Sequence, residues 1–152
     1  MRTVIFLPAK GESSRVENKN LKLLDGKPLF LHTLEKIASS TIFDEVYLDT
    51  DSDEIIEAAS EIDCKILKRD KSLASNKVDG NEIFRNQISK VEADIYIQIL
   101  CTSPFITIET IHNALNKIIK SKKYDSAVLV KNEKLYTWEN DKPNYNYEDI
   151  PN

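Results

Sequence analysis

Read for apolar and polar positions, the chain switches repeatedly between two periods. TVIFLPA (3–9) is a short apolar run closed by Pro8, the pattern of a buried strand. PLFLHTLEKIASS (28–40) opens with a proline suited to a first helical turn and spaces Leu31, Leu34 and Ile37 along one helix face. DEVYLDT (44–50) predicts a second strand, and from about Asp53 the residues Ile55, Ile56, Ala59 and Ile62 share one side of a helix. CKILK (64–68) predicts a third strand, and GNEIFRNQISKV (80–91) a helix with Ile83, Phe84, Ile88 and Val91 inward. ADIYIQILC (93–101) is the most strongly β-like stretch. TIETIHNALNKIIKS (107–121) carries Ile108, Ile111, Leu115, Ile118 and Ile119 at helical spacing, and DSAVLV (125–130) predicts a fifth strand.

Strands alternating with helices predict the α/β class: a mostly parallel central sheet with helices on both faces. A chain of 152 residues suits one domain that buries about two thirds of its surface and is short for two. No repeat or low-complexity linker divides it, so residues 1–152 are expected to form a single domain.

Composition narrows the function classes. The apolar share of 41% and charged share of 30% are those of a folded soluble protein. A net charge of −4 argues against a general nucleic-acid binder while leaving room for a local positive site. The longest apolar runs are strand-sized and the N-terminus has no signal-peptide core, so no membrane partner is expected and the setting is read as cytoplasmic. Cys64 and Cys101 lack metal-ligand spacing and are read as buried reduced thiols, and His32 and His112 lie far apart.

Sheets of this kind bind ligands outside the carboxyl ends of their strands. That rule selects loops 8–20, 49–53 and 101–107, with a fourth at 69–79. The first is cationic, with Lys10, Arg15 and Lys19 set among Gly11, Ser13, Ser14 and Asn20. Guanidinium forks and ammonium groups suit phosphate oxygens, so the loop is a candidate polyphosphate site. It matches neither GxxxxGK[ST] nor GxGxxG. A solvated lysine-rich loop is the plain alternative, and its place after the first strand favours binding. Asp49 and Asp51 form DTD, which reads either as a metal-binding D-x-D or, more simply, as Asp51 or Ser52 capping the next helix.

LPAKGESSRVENKNLKLLDGKPL resembles the N-terminal signature of the acylneuraminate cytidylyltransferase family, the CMP-sugar synthetases, which has the form (I/L)PAR-x-x-S-x-R-x-x-x-KN-(I/L). FDEVYLDTDSDEI, LKRDKSLAS and LCTSPFITIETI resemble three further family segments, in the same order and at matching spacing over nearly the whole chain. The resemblance implies the nucleotidyltransferase α/β sandwich, a GT-A-like fold, and transfer of CMP from CTP to a sialic-type sugar acid with release of pyrophosphate. It implies catalytic roles on the triphosphate for Lys10, which stands where the family has Arg, and for Lys19. It implies that Gly11, Ser13 and Arg15 line the same loop, that Asn20 lies beside the nucleotide, and that the Leu7 and Ala9 backbone reads the cytosine edge. Arg69 corresponds to an Arg at the base or ribose end, and Ser75 closes the LAS segment. Leu100 and Cys101 replace the family's Gln-Pro, with Gln98 on the same strand face as a partial substitute and Thr102 and Ser103 as polar contacts.

Family members continue beyond the final segment, WENDKPNYNYEDIPN, and the further part supplies carboxylates for Mg²⁺, much of the sugar pocket and a dimerisation arm. The expected cofactor is therefore Mg²⁺ held largely by groups outside this chain, with no metal ligand assigned within it. Residues 132–152 read as the start of an incomplete hairpin or extension. The expected partners are CTP and a sugar acid. The family is typically homodimeric, but the arm is absent here. The alternative is a non-catalytic CTP-binding fragment, or one half of a split protein. A metal-dependent glycosyltransferase using DTD shares the sheet but finds no supporting residues. CMP-Kdo synthesis is expected less than CMP-nonulosonate synthesis, because that branch differs at TSPF.

Overall fold

Four of the apolar runs assemble into one parallel sheet. The computed structural model describes residues 1–13, 15–75, 77–131 and 137–144, whose contacts group into two units, Met1–Asn113 and Ala114–Asn152. In the first unit the order is β1 (Thr3–Pro8), a short hairpin of β2 (Leu23–Leu24) and β3 (Lys27–Pro28), α1 (Leu29–Ala38), β4 (Glu45–Thr50), α2 (Asp53–Ala58) and β5 (Lys65–Lys68). A 3₁₀ turn (Lys71–Ala74), α3 (Gly80–Lys90), β6 (Ile95–Gln98) and the beginning of α4 (Ile108–Lys120) follow. The sheet runs β5-β4-β1-β6, with Leu7 beside Leu48 and Phe6 beside Gln98.

Val4, Ile5, Phe6 and Leu7 are all fully buried because both faces of β1 are covered. Ile5 and Leu7 join Phe30, Leu34 and Ile37 of α1, Ile55 of α2 and Ile111 of α4. Val4 and Phe6 instead meet Tyr47, Val91 and Phe84 of α3 on the opposite face. This two-sided cover explains an unbroken apolar run where a one-sided sheet would alternate. Each such side chain contributes about 1.5–3 kcal/mol by leaving water.

The local signals differ from the expected pattern at several points. The β2–β3 turn was not among the expected elements, yet Asp25 (φ 51°) and Gly26 (φ 76°) give the two left-handed residues of a tight hairpin turn. Helix α2 stops at Ala58, although Ile62 beyond it still packs on the core. On α3 the buried position is Gln87, four residues after Ile83, and Ile88 is exposed. The helical repeat carries position 87, rather than 88, toward the sheet.

In the second unit, residues 125–130 do not form the expected strand, and Val128 and Val130 are 83% and 82% exposed. A strand needs a neighbour's N–H and C=O groups, and no described segment pairs with this one. Two short strands, β7 (Trp138–Glu139) and β8 (Lys142–Pro143), pair through Asn140 and Asp141, both at positive φ. Residues 132–136 and 145–152, including Tyr136, Tyr145 and Tyr147, lie outside the described residues.

Candidate functional site

The strand order reverses at β1: β4 and β5 build out on one side, and β6 on the other. The carboxyl ends of β1 and β6 therefore flank the crevice where open parallel sheets take ligands. The chain leaving β1 is held there at several points. Buried Asn20 donates its amide to the Lys10 carbonyl (2.8 Å), and Asp51 accepts the Gly11 N–H at 3.0 Å. Asn18, at φ 47°, turns the chain so that its carbonyl accepts from Leu21 and Lys22.

A cavity of about 700 Å³ opens at this switch point. Lys10, Ser13, Arg15, Lys19 and Asn20 line it from the first loop, Arg69 and Ser75 from the segment after β5, and Gln98, Cys101 and Thr102 from the end of β6. Val16, Leu73, Val78, Ile83 and Leu100 supply an apolar wall. A smaller hollow of about 460 Å³ is lined by Gly11, Asp51, Ser52 and Lys71, and shares Lys10, Glu12 and Ser75 with the first. Leu7, Ala9 and Ser103 line neither. Leu7 and Ala9 are fully buried, and the Ala9 N–H already donates to the Asp49 carbonyl at 2.9 Å. The Ser103 N–H closes a turn on the Leu100 carbonyl.

Behind the cavity lies a buried polar chain. Arg69 forks onto Asp49, Nε to Oδ1 at 3.0 Å and Nη2 to Oδ2 at 2.9 Å, and Nη2 also donates to the Asp49 carbonyl. The side chains of both partners are 2% exposed. Gln87 donates its amide to Asp49 Oδ2 at 2.5 Å and accepts from Gln98 Nε2 at 2.9 Å. Such a buried charge is tolerable because it is paired and both of its oxygens meet donors. Of this set, sequence reasoning singled out Asp49, Arg69 and Gln98 but missed Gln87. The signal for Gln87 was its place at i+4 from Ile83 on an otherwise apolar face.

The two readings of DTD are now separable. Asp49 is committed to Arg69 and Gln87, Asp51 to Gly11, and Ser52 Oγ caps α2 by accepting from the Ile55 N–H at 3.4 Å. Among the described residues, no group of three or more His, Cys, Asp or Glu side chains is placed to hold a metal ion. Burial pushes the Cys101 thiol up to about 12, and its Sγ donates to the Pro8 carbonyl at 3.3 Å. The loop after β6 is fixed from α1, where Lys36 Nζ donates to the carbonyls of Pro104 (2.6 Å) and Ile106 (2.8 Å).

A parallel sheet carrying a cation-lined cavity at its switch point defines an α/β protein suited to an anionic ligand with an apolar portion. Residues 4–146 match the family model described as cytidylyltransferase, and the chain belongs to that family. Pseudaminic acid cytidylyltransferase of Campylobacter jejuni is 32% identical over 127 residues, covering 80% of this chain and 55% of that protein. CMP-N,N'-diacetyllegionaminic acid synthase of Legionella pneumophila is 32% identical over 121 residues, 76% of this chain and 52% of the other. The solved structure of CMP:2-keto-3-deoxy-manno-octonic acid synthetase complexed with CTP superposes with a TM-score of 0.71 at 26% identity, over 81% of this chain and 49% of that one. The chain thus spans about half the length of the relatives it matches. Among the described residues, no helix is long and apolar enough to cross a membrane.

Proposed function

We propose that this chain carries the CTP-binding part of a cytidylyltransferase that activates a sialic-type nonulosonic acid, giving CMP-sugar and pyrophosphate. The observation that carries the reading is the cavity at the switch point, lined by Lys10, Arg15, Lys19 and Arg69, in a chain of the cytidylyltransferase family. The sugar hydroxyl attacks the α-phosphorus in line, a new P–O bond forms, and the bridging P–O bond breaks with its electron pair on pyrophosphate. Lys10, Arg15 and Lys19 offset charge that grows on the leaving group. The clamped loop holds them in place before substrate arrives, which lowers the cost of orientation. An ammonium at position 10 keeps the charge of a guanidinium but gives up its fork.

Mg²⁺ would accompany CTP as a charge-neutralising ion. The described residues do not themselves make a metal site, since Asp49 and Asp51 are engaged elsewhere, so no step is assigned to the ion. The names of the two relatives support a nonulosonic acid as acceptor, the CTP-bound solved structure is named for 2-keto-3-deoxy-manno-octonic acid and makes that the competing acceptor, and two free cysteines fit a reducing cytoplasm.

The test supplies CTP, Mg²⁺ and a panel of nonulosonic acids and 3-deoxy-manno-octulosonate to the chain, alone and within any longer protein that carries it, and follows pyrophosphate. Release that requires both CTP and a nonulosonic acid upholds the reading. Turnover with the octulosonate alone would reassign the acceptor, and none from any preparation would overturn it.

A further inference from the structure

We infer that Gln98 is the hydrogen-bond acceptor that reads the exocyclic amino group of the base, and that Gln87 and Asp49 fix its amide in the orientation that does so. This inference rests on the cytidylyltransferase reading above. Asp49 is a buried carboxylate whose Oδ1 and Oδ2 are taken up by Arg69. An ionised carboxylate only accepts, so Gln87 must turn its NH₂ toward Asp49, and does so at Oδ2. The Gln87 carbonyl then faces the other way and accepts from Gln98 Nε2 at 2.9 Å. With one of its two N–H groups given to Gln87, Gln98 keeps its Oε1 and one further N–H on the same fixed amide. The Oε1 has no partner among the described residues, and it is not among the buried side-chain oxygens sealed from solvent without one. Gln98 lines the cavity, as does Arg69, which is held on the same carboxylate.

The amide orientation of Gln98 therefore traces back through two hydrogen bonds to a charge, which makes it a fixed polarity rather than a free rotor. Turned toward the cavity by that orientation, the Gln98 Oε1 accepts from a 4-amino group, as in cytosine. Against uracil the same oxygen faces O4, and two acceptors meet without a proton between them. Gln98 is thus the specificity-determining residue, and Gln87 is a positioning residue acting through it.

The test titrates the full chain calorimetrically with CTP and with UTP at constant Mg²⁺, for the unchanged protein, Gln98→Leu and Gln87→Met. Circular dichroism melts record folding of each. The expected result is a preference for CTP of roughly 10- to 100-fold, collapsing to within about threefold in both variants, chiefly by loss of CTP affinity. Gln87→Met leaves Gln98 in place but free to flip, so loss of preference there reports orientation rather than a missing contact. Should Gln87→Met fail to fold, Gln98→Leu at the cavity wall still decides whether Gln98 reads the base, and its retained preference would overturn the inference. Preference for CTP retained in folded variants would overturn the inference while leaving the cytidylyltransferase reading standing. Equal affinity for CTP and UTP in the unchanged chain would overturn it too. Absence of any triphosphate binding would sink the cytidylyltransferase reading and this inference with it.

Discussion

Gly11 has no room for a methyl group: a Cβ built there would lie 2.9 Å from the Ser52 Cβ. Backbone would have to move, because Ser52 caps α2 and Gly11 is tied to Asp51. Gly11→Ala is expected to cost about 1–3 kcal/mol, read as a lower melting temperature, and to weaken CTP binding, because the displaced loop carries Lys10 and Arg15. Arg69 poses a sharper case, since removing it strands a buried carboxylate. Arg69→Met should destabilise the chain by about 3–5 kcal/mol, measured by denaturant titration, a loss much greater than an exposed ion pair gives. At this scale the sequence was partly legible. A cationic loop after a strand could be read from residue types alone, and nine of the thirteen nucleotide-site residues expected line the larger cavity: Lys10, Ser13, Arg15, Lys19, Asn20, Arg69, Ser75, Gln98 and Thr102. The partners of Asp49 could not, since Arg69 and Gln87 lie 20 and 38 residues away and meet it only once the sheet and α3 have assembled.

Among the elements, β4 shows how strand order is pinned at the end opposite the cavity. Glu45 at its start accepts from Lys65 of β5 at 2.6 Å and from the Tyr47 hydroxyl, and pairs with Arg2, next to β1, at 2.9 Å. The Lys65 bond, followed by that of Tyr47, holds the Glu45 carboxyl down to about 2. A depressed carboxylate contributes stability above its unfolded value and loses it as pH falls toward the folded value. Acid should therefore weaken the fold between pH 4.5 and about 2 partly through this residue. In melts taken across that range, Glu45→Gln is expected to be less stable than the unchanged chain at pH 7 and to lose less on acidification. Element types were readable because β1, β4 and α1 each bury a continuous run or a single face. The expected strand at 125–130 shows the limit of that reading. Its apolar run is real, but strands are completed by a neighbour, which a local pattern does not contain.

Over the whole molecule, charge is distributed against its sum. The chain carries −4 overall, yet Lys10, Arg15, Lys19 and Arg69 line one cavity together with a single acidic residue, Glu12, among the described residues, and Arg69 is paired with the buried carboxylate of Asp49. A low-dielectric wall of Val16, Leu73, Val78 and Ile83 beside those groups strengthens their field on a ligand. An anionic ligand would therefore meet a local positive field on a chain whose net charge is negative. Screening shortens such fields to about 8 Å at physiological salt, so binding carried by these cations should weaken as salt rises. The affinity for CTP is expected to fall several-fold between 50 and 300 mM salt, and the Lys10→Ala, Lys19→Ala double variant to bind roughly 100-fold more weakly with a flatter dependence. Calorimetric titration at four salt concentrations separates the possibilities. A steep slope that the double variant flattens places the triphosphate against the loop after β1, whereas an unchanged slope would mean that other cations hold it and that these two lysines serve solubility.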